Sequence, residues 1–94
     1  MTAYRELIGI FTAIDKEQDM ARLFEEIFTG RELSDLSLRW QLLKELHQGN
    51  TQRDIAARHK ISLCKITRGS RLLKNGNSII KRLLTAAYGD GKQK

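Results

Sequence analysis

Two helix starts, Thr51 and Ser62, stand so close together that only a short helix and a tight turn fit between them. Around them the segment QRDIAARHKISLCKITRGS, Gln52 to Ser70, places apolar residues where two crossed helices need them. Ile55 and Ala56 supply a core anchor and a small crossing residue. Ile61 is the apolar residue of the turn, and Ile66 the buried β-branched residue of the second helix. Lys60 stands where such a turn favours glycine, which predicts a lysine at positive φ and a strain of roughly 1 kcal/mol. The pattern is that of a helix-turn-helix, with an ordinary helical hairpin as the plainer alternative.

Ninety-four residues allow one domain, and the formal net charge is +6. The charge is unevenly placed. Up to Asp35 there are four Lys or Arg against eight Asp or Glu, whereas from Leu36 onward thirteen cations face three anions, Glu45, Asp54 and Asp90. A polyanion therefore has reason to meet the C-terminal half, since each neutralised phosphate releases counterions. The acidic half is left for another task.

The chain contains no proline, and its periodicity is helical throughout, so the fold expected is all-α with six helices. Tyr4, Leu7, Ile8, Phe11 and Ile14 lie on one face of the first helix; Met20, Leu23, Phe24 and Ile27 do so on the second, with Asp15 to Asp19 as the joint. Thr29-Gly30-Arg31-Glu32 forms a capping box that opens a third helix, expected to bury Leu36, Trp40, Leu43 and Leu46 and to end near Gly49. Thr51 with Asp54 caps the fourth helix and Ser62 the fifth, which stops at the turn Asn75-Gly76-Asn77. Asn77 or Ser78 caps the sixth. The expected division is residues 1–49 as core and dimerisation helices, 51–75 as the helix-turn-helix, 77–88 as a C-terminal dimerisation helix and 89–94 as a frayed tail. The first helix is apolar over a broad arc without obvious partners in so small a chain. Two chains sharing a core would resolve this, and a monomeric bundle is the alternative.

On a helix-turn-helix, Leu63, Cys64, Lys65 and Thr67 occupy the first turns of the reading helix and become candidates for base contacts in the major groove. Gln52 and Arg53 sit where amide donors, helix dipole and side chain can face one phosphate; Arg58 and Lys60 are further phosphate candidates. Cys64, the single cysteine, cannot form an internal disulfide; it reads as a small contact residue, with a redox sensor as the alternative. Neither His47 nor His59 has a partner at metal-ligand spacing, and no nucleophile–base pair or carboxylate dyad occurs, so neither a metal site nor catalysis is expected. No signal-peptide layout or membrane-length apolar run is present, and a cytoplasmic protein is the default expectation.

The run Ile66-Thr67-Arg68-Gly69-Ser70, followed by Leu73-Lys74, resembles the tryptophan repressor family of bacteria. Phe28-Thr29-Gly30, the stretch Leu36 to Gly49, and Thr51-Gln52-Arg53-Asp54 resemble that family's third-helix start, third helix and helix-turn-helix start. The resemblance covers about half the chain, with one deletion near Asn50. It implies a six-helix Trp-repressor-like fold forming an intertwined homodimer. It also implies a repressor of tryptophan biosynthesis or uptake genes that binds a palindromic operator with L-tryptophan as corepressor. By position, Arg68 would pack on the indole, Arg39 pair with the ligand carboxylate, Thr29 line the pocket, and Gly69 allow close approach of the ring. An arginine fork suits a carboxylate and its flat plane suits an aromatic ring.

Two positions depart from the family pattern: Leu72 replaces a serine that helps hold the ligand amine, and Ala56 replaces a lysine at the DNA face. Other readings therefore stand beside the first. One is a DNA-binding helix-turn-helix protein that needs no ligand. Another is a helical interaction module that docks a partner through its acidic half.

Overall fold

The computed structural model describes residues 2–91, so the tail expected beyond Gly91 lies outside the described residues. Six helices follow one another: α1 Thr2–Ala13, α2 Glu17–Ile27, α3 Gly30–His47, α4 Gln52–His59, α5 Leu63–Lys74 and α6 Ile79–Tyr88. No strand occurs among the described residues. By internal contacts the chain parts into two units, Met1–Leu36 and Ser37–Lys94.

Within the first unit, the expected joint at Asp15 to Asp19 is shorter than the polar run implied. α2 begins at Glu17, and Glu17 and Asp19 lie in its first turn, where the helix dipole favours anions. Phe24 connects the helices through ring contacts, tilted against Phe11 at 5.7 Å and edge-on to Phe28 at 5.2 Å. The capping box at the start of α3 forms as the spacing predicts: Glu32 N–H donates to Thr29 Oγ1 at 3.1 Å, and Thr29 N–H to Glu32 Oε1 at 2.8 Å. Neither α1 nor α2 buries a residue fully.

The second unit has a core of Leu42, Ile55 and Ile66, with Leu38, Leu46, Ala56 and Ile61 packed around it. The helix-turn-helix assignments of Ile55, Ala56, Ile61 and Ile66 hold. The turn also forms as expected: Lys60 adopts φ 57° and ψ 47°, and its N–H reaches Ala56 O to close α4. Thr51 caps α4 by accepting from Asp54 N–H at 3.1 Å, and Ser78 caps α6 by accepting from Lys81 N–H at 3.2 Å. Ser62 precedes α5 as predicted, but its hydroxyl makes no capping hydrogen bond. In the Asn75–Ser78 turn, Asn75 Oδ1 accepts from Asn77 N–H at 2.9 Å.

Three expectations need correction. Leu36 and Trp40 are not core residues of the chain: they stay 38% and 36% exposed, while Leu43 is buried. Residues Gly89 to Gly91 are not frayed. His47 Nε2–H donates to Gly89 O at 2.7 Å, and Gly91 lies so close to the His47 carbonyl that a Cβ there would stand 2.1 Å from it. Arg58 is not an unpaired cation: its side chain stays half-exposed, but its guanidinium pairs with Glu45 on α3.

Glu45 is the centre of a buried polar cluster, its side chain only 7% exposed. It accepts from Arg58 at one oxygen, and at the other from His59 Nε2–H and Gln41 Nε2–H, both at 2.8 Å. Burial pushes the carboxyl up, but the hydrogen bonds from Gln41 and His59 and the charges of His59 and Arg58 outweigh it. The net effect holds Glu45 below its ordinary value of 4.5.

Lys60→Gly relieves the left-handed strain and should raise the unfolding free energy by about 1 kcal/mol in denaturant titration, whereas Lys60→Val should lower it. The Glu45 carboxyl binds its proton less readily in the folded than in the unfolded chain. Its stabilisation is therefore complete above 4.5 and fades as the pH falls through the lower folded value. Melting curves taken stepwise into acid should show wild type and Glu45→Gln far apart at neutral pH and converging below pH 4.5; parallel profiles would contradict this assignment.

Candidate nucleic-acid interface

The reading helix α5 starts directly after the tight turn and exposes Leu63, Cys64 and Lys65 in its first turn. Thr67 is half-buried, since its hydroxyl lies 3.0 Å from both Gln52 Oε1 on α4 and Leu63 O on α5. The two helices of the reading head are thus tied by residues that were both expected to meet DNA. Arg53 stands exposed in the first turn of α4, near the N–H groups that open the helix. Among the described residues, neither Arg53 nor Lys65 has a carboxylate within ion-pair distance, so both charges remain available to phosphates or base edges.

A shallow groove of about 540 Å³ runs along α5, lined by Leu63, Cys64, Thr67, Arg68, Leu72 and neighbours. It gathers three of the expected reading residues and one of the expected ligand residues on one surface. Lys65 lies outside its lining. Arg68 is exposed and, like Arg39 on α3, is without a carboxylate partner among the described residues. Leu72, 37% exposed, forms an apolar wall where a hydroxyl would have made a polar one.

Gly69 faces the other way. A Cβ at this position would come within 3.0 Å of Leu43 Cδ2 and 3.3 Å of Leu46 Cδ1, so the missing side chain lets α5 lie against α3. Thr29 belongs to the first unit, where its side chain is committed to the Glu32 capping box.

A second cleft, of about 460 Å³, is lined by Gln52, Ser70, Lys74 and Lys81 among others. Its lysines add positive charge near the start of α4, a feature that helical periodicity does not reveal because they lie on different helices. The Glu45 cluster likewise escaped sequence reading. Its only sequence signal is an isolated anion in a strongly basic half, with Arg58 and His59 well downstream. Among the described residues, no helix is long and apolar enough to cross a membrane. No group of three or more potential metal ligands occurs among the described residues.

Comparison with known proteins gives this arrangement a relationship. The family model described as Trp repressor protein matches residues 3–87. A Trp operon repressor homolog of Xylella fastidiosa (strain M23) is 37% identical over 76 residues, spanning 80% of this chain and 83% of that protein. One of Chlamydia trachomatis serovar L2 is 29% identical over 84 residues, spanning 88% and 89%. No solved structure matches the chain. With a helix-turn-helix in place and the match running from α1 into α6, the chain belongs to the Trp repressor family, a family of DNA-binding transcriptional regulators rather than enzymes.

Proposed function

We propose that this repressor binds a palindromic operator as a homodimer and uses L-tryptophan as corepressor to control tryptophan biosynthesis or uptake genes in the cytoplasm. The observation that carries the reading is the α5 groove, where an uncommitted Arg68 shares one surface with Leu63, Cys64 and Thr67. A ligand resting on Arg68 would touch the same surface that meets DNA, so its binding and DNA binding could be linked without a long-range relay. In this proposal Arg68 stacks on the indole and Arg39 pairs with the carboxylate. Thr29 lines the pocket, and Gly69 allows the ring to approach the backbone closely. Gln52 and Arg53 hold phosphates, while Leu63, Cys64, Lys65 and Thr67 face the bases. Residues 1–49 and 77–88 serve dimerisation, and 51–75 the operator.

The dimer is supported by apolar surface that the chain leaves uncovered. Leu7, Ile8, Ile10 and Ile27 are each 40% or more exposed, and a groove of about 390 Å³ between α1 and α2 is almost wholly apolar. Trp40, Ile79 and Leu83 add exposed apolar area on α3 and α6. Surface of this kind commonly marks an interface.

A second reading, a repressor that needs no corepressor, is favoured by Leu72. A leucine in the groove offers nothing to an amine, and a ligand ammonium beside it would lose hydration without a replacement.

Calorimetry with L-tryptophan and operator titration with and without it separate the two. The proposal expects tryptophan to tighten operator binding roughly 5–150-fold. Arg39→Ala should weaken tryptophan binding by roughly 10–150-fold, the loss of a hydrogen-bonded charge pair, and leave ligand-free DNA affinity unchanged. Equal operator affinity in both states would favour the ligand-independent reading. In sedimentation the species should have about twice the 10.8 kDa mass of one chain, and Ile8→Asp should shift it toward monomer and lower its melting temperature.

A further inference from the structure

The basic side chains of α4 fall into two groups that the sequence does not distinguish. Arg53, at the start of the helix, is exposed and without a carboxylate partner among the described residues. Arg58 and His59, at its end, both turn onto Glu45. The two oxygens of that carboxylate are filled by Arg58 on one side and by His59 and Gln41 on the other. Lys60 follows at once in its left-handed conformation, and α5 begins three residues later. The cluster thus grips the chain at the joint where the direction of the reading helix is decided.

We propose that Arg58 and His59 are positioning residues for operator recognition rather than DNA contacts. Together with Glu45 they fix the end of α4 on α3, and through the turn they fix the tilt at which α5 offers Leu63, Cys64, Lys65 and Thr67 to the major groove. Arg58 stays half-exposed, but its charge is already met by a buried carboxylate, and leaving Glu45 would strand that carboxylate in the protein interior. Arg53 carries neither restriction.

The inference rests on the reading head binding DNA, and salt dependence separates the two. Affinity for a short mixed-sequence duplex, followed between roughly 50 and 200 mM salt, reports the number of phosphates neutralised. Arg53→Ala should make the slope of log K against log salt shallower by about 0.9 per chain, and Arg58→Ala should leave it unchanged. Against the tightest duplex selected from a random pool, Arg58→Ala should lose roughly 5–150-fold, the scale of one good base contact. Glu45→Gln should lose as much although it cannot touch DNA, the double variant should be no worse than either, and Arg58→Lys should recover part of the affinity. Should Arg58→Ala fail to fold, the wild-type Arg58 Nε–H resonance serves instead, with its position expected to stay unchanged when duplex is added. A shallower slope for Arg58→Ala, or a large shift of that resonance on DNA binding, would overturn the proposal alone; a wild type that binds no duplex would overturn the DNA-binding reading with it.

Discussion

The last two turns of α3 reach each of the later helices of the basic unit. Leu42 enters the core with Ile55 and Ile66, and Leu43 and Leu46 receive the bare backbone of Gly69. Glu45 grips the end of α4, Lys44 stands over the Tyr88 ring at 5.2 Å, and His47 holds Gly89 beyond α6. Successive residues of a helix point in successive directions, so six in a row can reach three different neighbours. A short helix such as α4 gains little stability from its own hydrogen bonds and depends on such an anchor.

That dependence mixes two kinds of force. The apolar attraction is non-directional, whereas the Glu45 cluster is directional, because a buried carboxylate must be paired where it lies. The core thus joins α3 to the reading head by apolar burial, and the polar cluster limits the ways in which they can be joined. Among the described residues, the first unit has no comparable buried ion pair. Its ring contacts through Phe24 hold α1 and α2 together while leaving much of their apolar surface open.

The local grammar of the chain was legible in the sequence because its causes are local. The Thr29, Thr51 and Ser78 caps, the Asn75-Gly76-Asn77 turn and the positive φ at Lys60 depend on residues a few positions apart. What sequence reading missed spans distance. The pairing of Arg58 is not legible because nothing nearby in sequence signals that Glu45 on the preceding helix meets its guanidinium. Trp40 looked like core because an aromatic residue at helical spacing is usually buried, and burial depends on which surfaces are present to cover it. For the site, the surface shared by Leu63, Cys64, Thr67 and Arg68 follows from positions along one helix, whereas the use of Gly69 needed the location of α3.

The hydrogen bond of Thr67 carries a consequence for the letters of DNA this surface can prefer. A hydroxyl has one hydrogen, and here it is shared between Gln52 Oε1 and Leu63 O. Wherever Thr67 meets a base without breaking that arrangement, its oxygen can only accept and its methyl can only pack. Adenine and cytosine present amino groups in the major groove and thymine a methyl, while guanine presents two acceptors. Were Thr67 to face a base pair, as proposed above, this arrangement would disfavour a guanine edge there.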